Sequence, residues 1–181
     1  MKIAVISGKA GVGKDTVINY LTKYHGFSRF PSLTTRPQRA DEVDGINYHF
    51  VLEERFLVMK QNGLLLDCVC ISGYYYGFPI NNFMEQTNGL WVLNMVAESG
   101  LAIKRLFPGI TYLFYLTFSD RQTQIEQLKM RGASDYEITI KLRDDPNKDR
   151  LPTYYDYEIL NRESEKTAEL IAEKVKGGQN A

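Results

Sequence analysis

The sequence predicts an α/β fold in which a parallel sheet is flanked by helices and carries a small mixed α/β insert. Three observations predict it. The apolar run Ile3-Ala4-Val5-Ile6 reads as a buried strand, and it passes through the glycine-rich stretch Ser7 to Gly13 into a segment whose Val17, Ile18 and Leu21 fall at helical spacing. Two more apolar runs, Leu90 to Val96 and Ile110 to Phe118, alternate with helical segments, as in a parallel sheet covered on both faces. Between about 33 and 83 the pattern breaks into short polar and tyrosine-rich pieces, the mark of an insert. The 181 residues fit one domain with a substantial core.

Taken in order, the first helix runs from about Lys14 to Tyr24 and stops at His25-Gly26-Phe27, and Ser28 to Pro31 is a short extended piece. Ser32 to Asp44 is polar and without periodicity, so it reads as a loop, closed by the turn signal Asp44-Gly45. Ile46 to Val51 is strand-like, Glu53 to Gln61 is helical with a stop at Asn62-Gly63, and Leu64 to Ile71 is a further strand. Ser72 to Pro79 is too rich in glycine and tyrosine for a helix and reads as a loop or strand edge. Helices are expected over Asn81 to Thr87 and over Glu98 to Leu106, the second closed by Pro108-Gly109. Ser119-Asp120 caps a polar helix that runs to about Met130 and breaks at Arg131-Gly132, after which 133–151 is heavily charged. Tyr157 to Leu160 is a last short strand, Ser164 to Val175 a closing helix, and 177–181 a disordered tail. The organisation expected is a single domain with its core in 1–32, 84–126 and 151–181, its insert in 33–83 and a lid in 127–150.

Composition narrows the function classes. The 22 basic and 22 acidic residues cancel, so a phosphate site must be local, and a nucleic-acid or membrane-surface binder is not indicated. Cys68 and Cys70, two apart on a strand, cannot build a disulfide framework and read as reduced thiols in or near the core; His25 and His49 read as surface or turn residues. No apolar run reaches the ~18 residues a membrane span needs, and the first apolar run is too short for a signal peptide, so a cytoplasmic protein is expected.

The chemistry begins at Gly8-Lys9-Ala10-Gly11-Val12-Gly13-Lys14-Asp15-Thr16. Strand, glycine loop and helix in this order make a phosphate-binding P-loop: Gly8, Gly11 and Gly13 let backbone N–H groups turn inward, and Lys14 adds a cation for the β- and γ-phosphates of a nucleotide. Asp15 stands where a hydroxyl normally reaches Mg²⁺, and the hydroxyl comes one place later at Thr16. A carboxylate there repels triphosphate unless Mg²⁺, a bound water or Lys14 lies between; Asp15 is expected to meet the metal's water shell and Thr16 to bond a phosphate oxygen. A second anion site is suggested by Arg36 and Arg39, three apart beside Thr34, Thr35 and, further on, Tyr48. Two guanidinium forks with hydroxyls suit a terminal phosphate, and a donor site plus an acceptor site describes a kinase for a phosphorylated small molecule.

The run Ser32-Leu33-Thr34-Thr35-Arg36-Pro37-Gln38-Arg39, then Glu42-Val43-Asp44-Gly45, Tyr48, Phe50 and Ser72-Gly73-Tyr74-Tyr75-Tyr76-Gly77, resembles the guanylate kinase family. The resemblance spans nearly the whole chain and is densest in the first 80 residues. It implies a P-loop NTPase-type sheet with a nucleoside-monophosphate-binding insert and a helical lid, and transfer of the γ-phosphoryl of Mg-ATP to GMP or dGMP. It implies that Arg36, Arg39, Tyr48 and Tyr76 hold the monophosphate, that Ser32 bonds the guanine carbonyl, and that Asp67 accepts from the guanine ring N–H and amino group. Arg131 and Arg143 resemble the lid arginines, so that Lys14, Arg36, Arg131 and Arg143 form the catalytic set and Gly8, Gly11, Val12, Gly13, Lys14, Asp15 and Thr16 the ATP site. A late element, Asp156 to Asn161, is also family-like.

Three departures stand out. A second acid that helps read guanine would fall near Val96, where the strand offers Asn94 and no carboxylate; the hydroxyl residue after Tyr-Gly is Phe78; and an additional lid arginine is Gln127, with Arg150 as a substitute in a shortened lid. Val96 and Phe78 favour as an alternative a kinase for another (deoxy)nucleoside monophosphate; an inactive guanylate-kinase-like binding module is a less favoured rival, since such modules usually lose the triphosphate loop and Lys14 is present here. The partners expected are ATP and a nucleoside monophosphate, with the chain a monomer or homodimer.

Overall fold

The computed structural model describes residues 1–40, 42–80, 88–130, 132–143 and 155–177. The chain divides into two compact units, Arg29–Asn88 with Met1, and Lys2–Ser28 with Gly89–Ala181.

The larger unit is built on a five-stranded sheet of order β2-β7-β1-β8-β9, from β1 (Lys2–Gly8), β2 (Phe27–Arg29), β7 (Leu90–Asn94), β8 (Thr111–Thr117) and β9 (Tyr157–Leu160). The ladders β1/β7, β1/β8 and β8/β9 are all parallel. Central strands of such a sheet are buried on both faces, and Ile3 to Ile6 and Leu113, Phe114 and Leu116 are fully enclosed. Their alternation divides the core. Ala4, Ile6, Val92, Tyr112 and Phe114 pack with Val17, Ile18 and Leu21 of α1 (Lys14–Tyr24) and Ala168, Ile171 and Val175 of α6 (Ser164–Gly177). On the other face α3 (Ala97–Leu106) presents Gly100 against Val5 and Leu113. The polar helix α4 (Arg121–Met130) buries only Gln124 and Leu128, and its first turn is capped as expected by Asp120, whose Oδ1 accepts from the backbone N–H of Thr123 at 2.8 Å. Helix α5 (Asp135–Arg143) follows. Asp156 pairs with Lys104 and accepts from the backbone N–H of Leu113 at 2.7 Å, fastening the chain as it enters β9.

The smaller unit holds a four-stranded mixed sheet of order β4-β3-β6-β5, from β3 (Ser32–Thr34), β4 (Tyr48–Phe50), β5 (Leu65–Ile71) and β6 (Tyr74–Pro79), with helix α2 (Glu53–Gln61). Two segments differ from expectation. Ser32 to Thr34 is strand, because β4 and β6 supply its ladders from either side and bury Leu33. Tyr74 to Pro79 is an interior strand between β3 and β5, entered by a turn in which Ser72 and Gly73 both take positive φ. Cys70 is exposed, although Cys68 beside it is half-buried. The helix expected at Asn81 to Thr87 lies outside the described residues.

Candidate active site

In the larger unit, β1 delivers the chain into the glycine loop and α1 receives it. Gly8, Gly11 and Gly13 have φ of +146°, +85° and +89°. Gly13 is the residue before the helix and makes no side-chain cap bond, and the N-terminus of α1 turns its positive partial charge toward the loop, an arrangement that suits an anion. A Cβ on Gly13 would stand 2.7 Å from Asn161 Nδ2, so glycine is required there by space as well as by φ. The ammonium of Lys14 folds back on the loop and donates to the carbonyls of Gly8 (2.6 Å) and Lys9 (3.0 Å).

Two amide side chains bolt this loop to distant elements. Gln124 Nε2 of α4 donates to Ala10 O at 3.0 Å, and Asn161 Nδ2, just past β9, donates to Val12 O at 2.6 Å. Asn161 is itself held through its Oδ1, which accepts from Thr167 Oγ1 of α6 at 2.8 Å. Beside the loop opens a cleft of about 440 Å³ lined by Gly11, Gly13, Thr16, Phe118, Thr123, Gln127, Asn161 and Arg162 among others, large enough for a nucleoside and its phosphates. Asp15 points to the end of β7, where its Oδ1 accepts from Asn94 Nδ2 at 3.3 Å. Arg143 is the exposed last residue of α5, and Arg131 and Arg150 lie outside the described residues.

In the smaller unit the register sorts the sheet into two faces. Ser32 pairs with Tyr48, and Thr34 with both Phe50 and Tyr76, so these residues share one face. The opposite face, with Leu33 and Tyr75, is covered by Phe56 of α2, which stacks on Tyr75 at 5.5 Å between centroids. Threonine hydroxyls tie the segment after β3 to β6: Thr34 Oγ1 donates to Tyr75 O and accepts from the Arg36 backbone N–H, while Thr35 Oγ1 accepts from the Tyr75 N–H.

Arg36 is thereby fixed, with its guanidinium carbon 5.5 Å from the Tyr48 ring centre and 5.8 Å from that of Phe50. Its Nη2 donates to Glu42 Oε1 at 2.7 Å, and the other carboxylate oxygen accepts from the Arg39 backbone N–H at 2.9 Å. Burial disfavours the charge on each partner, yet the Arg36–Glu42 hydrogen bond and mutual attraction outweigh it, raising the Arg36 pKa and lowering that of Glu42. Tyr76 meets Tyr48 edge-on at 6.0 Å. The Arg39 side chain is largely exposed, with Nη1 3.9 Å from Glu42. Ser32 is buried, and Asp67 sits in the irregular step of β5 between Leu65 and Cys68. Phe78 is buried and stacks on Phe30 at 5.6 Å.

The arrangement offers two candidate anion sites, one built on a P-loop and one on an Arg-Tyr sheet face. The family model described as guanylate kinase matches residues 1–177. The chain belongs to the guanylate kinase family. Guanylate kinases of Streptococcus agalactiae serotype III (strain NEM316) and Streptococcus mutans serotype c are each 34% identical to it over 180 residues, covering 96% of this chain and 83% of theirs. The crystal structure of guanylate kinase from Anaplasma phagocytophilum superposes with a TM-score of 0.75 over 97% of this chain and 85% of that one, at 24% identity, a likeness of fold.

Against this guanylate kinase background three residues stand out that sequence reasoning gave no role of their own: Glu42, Gln124 and Asn161. Glu42, six residues after Arg36, had a readable charge pattern. Asn161, three before Ser164, had the spacing of a helix start. Gln124 carried no sequence signal.

Proposed function

We propose that this chain is an ATP-dependent nucleoside monophosphate kinase that transfers the γ-phosphoryl of ATP to GMP or dGMP, giving ADP and the diphosphate. The observation that carries the acceptor side is Arg36 held by Glu42 against Tyr48 and Tyr76, a preset guanidinium fork for a monophosphate. Arg39 adds a second, exposed fork, and Ser32 and Asp67 read the guanine edge. On the donor side the P-loop N–H groups and Lys14 receive the triphosphate. The two carbonyls now bonded by Lys14 are exchanged for phosphate oxygens.

Phosphoryl transfer asks little covalent chemistry of a protein; alignment and neutralisation of oxygen charge lower the barrier. Lys14, Arg36, Arg131 and Arg143 supply that charge. Asp15 and Thr16 are hard oxygen donors of the kind Mg²⁺ takes, Asp15 through a water. Mg²⁺ bound with ATP, held through these donors, would supply neutralisation of phosphate oxygen charge. No base is needed for an acceptor phosphate that is already ionised.

A second reading is favoured by Phe78, whose buried ring stands where a hydroxyl would help to read the base: the acceptor is then another (deoxy)nucleoside monophosphate. ADP release measured with Mg-ATP and a panel of GMP, dGMP, AMP, CMP, UMP and dTMP decides. Preference for GMP or dGMP that collapses in Asp67→Ala is the expected result; turnover of a different base, or of all equally, overturns the guanine assignment.

A further inference from the structure

The glycines that let the P-loop fold also leave its peptide planes able to swing, since glycine restricts φ and ψ less than any other residue. Groups outside the loop must set them. A trans peptide carries its C=O and the following N–H on opposite sides of one plane, so a bond that holds the carbonyl also aims the next N–H. Ala10 O is held by Gln124 Nε2 at 3.0 Å and Val12 O by Asn161 Nδ2 at 2.6 Å. The N–H of Gly11 is thereby turned away from Gln124, and that of Gly13 away from Asn161.

We infer that Gln124 and Asn161 are positioning residues for phosphate: each draws one loop carbonyl outward and so turns the N–H of Gly11 or of Gly13 toward the space the triphosphate takes. The inference rests on the ATP-dependent reading above. Gly11 and Gly13, at φ of +85° and +89°, have the left-handed backbone that gathers neighbouring N–H groups into an anion-binding hollow. Both struts are firmly seated. Gln124 is buried on α4, and Leu128 one turn later has its Cδ2 3.0 Å from where a Cβ on Gly11 would lie, so this helix closes directly on the loop. Asn161 takes its orientation from the buried Thr167, whose Oγ1 donates to Oδ1 at 2.8 Å; turning the amide oxygen toward the Val12 carbonyl would give up that bond. N–H groups set in advance need no reordering when an anion arrives, and each strut adds to phosphate affinity in that way.

The test is calorimetric affinity of the full chain for Mg-ATP, Mg-tripolyphosphate and adenosine, ligands that separate the phosphate chain from the base. Gln124→Leu removes one strut, and Thr167→Val keeps Asn161 in place while releasing its orientation. Each variant weakens Mg-ATP and Mg-tripolyphosphate by the same factor, about three- to tenfold, and leaves adenosine unchanged. Thr167→Ser, which retains the hydroxyl, binds all of these ligands as the unaltered chain does. In Gln124→Leu/Thr167→Val the two losses multiply, because different peptide planes are released. Equal loss for every ligand marks general damage to the fold, and loss for Mg-ATP and adenosine with tripolyphosphate untouched marks a contact to the base; either result overturns the inference, as does no loss at all. Binding of both phosphate ligands with these losses, but without transfer to any monophosphate, sinks the kinase reading and leaves this one standing; no binding of either phosphate ligand to the unaltered chain sinks both.

Discussion

Glu42 shows how a single residue ties stability to substrate recognition. Its carboxylate holds Arg36 by one oxygen and the Arg39 backbone by the other. Glu42→Gln should therefore raise KM for the acceptor nucleotide about five- to twentyfold with kcat within about threefold of its original value, since the lost bond positions a binding group. Because the folded pKa of Glu42 is depressed, its stabilisation is present above the unfolded glutamate value of about 4.3 and is lost as pH falls through the lower folded value. Melting temperatures of the two proteins should thus differ most above about pH 5 and converge toward pH 3; a constant gap across that range would contradict the pairing. The P-loop could be read directly because its glycines and lysine are contiguous. Its struts could not, because Gln124 and Asn161 lie 114 and 149 residues from the carbonyls they hold.

Among the elements, those read most closely from sequence carry their own signals. Helices α1 and α2 start and stop at the predicted residues, and β9 matches residue for residue, since helical spacing and stop residues are local. Strands β3 and β6 were not legible as such, because neighbouring ladders, more than intrinsic preference, make them strands. The glycine that breaks the pattern of β6 has a spatial reason: a Cβ on Gly77 would lie 2.9 Å from Asp67 O and 3.0 Å from the Phe56 ring. Two expectations follow. Gly77→Ala should weaken guanine-nucleotide binding by displacing Asp67, with Mg-ATP affinity retained when both are measured by calorimetry. Phe56→Ala empties a fully buried ring site, and chemical denaturation should report a loss of about 3–5 kcal/mol.

At the level of the whole chain, the parallel sheet was predictable from the alternation of runs, but its strand order was not, because periodicity says nothing of neighbours. With ATP proposed to bind at the P-loop and the acceptor at the Arg36 sheet face, hydrogen exchange should separate the ligands. A non-hydrolysable ATP analogue with Mg²⁺ should protect residues 8–17 and 160–167, and GMP alone should protect 32–36 and 74–78. Protection of both regions by either ligand alone would contradict that assignment.

The amide of Asn161 has a use of its own. Its nitrogen is bonded to Val12 O inside the loop while its oxygen is held by Thr167 on the closing helix. Its two side-chain N–H resonances are therefore a built-in spectroscopic probe: one proton faces the loop proposed to take the triphosphate, and the group is anchored from behind. A titration followed at that single pair of peaks would report loop occupancy without any label and without turnover.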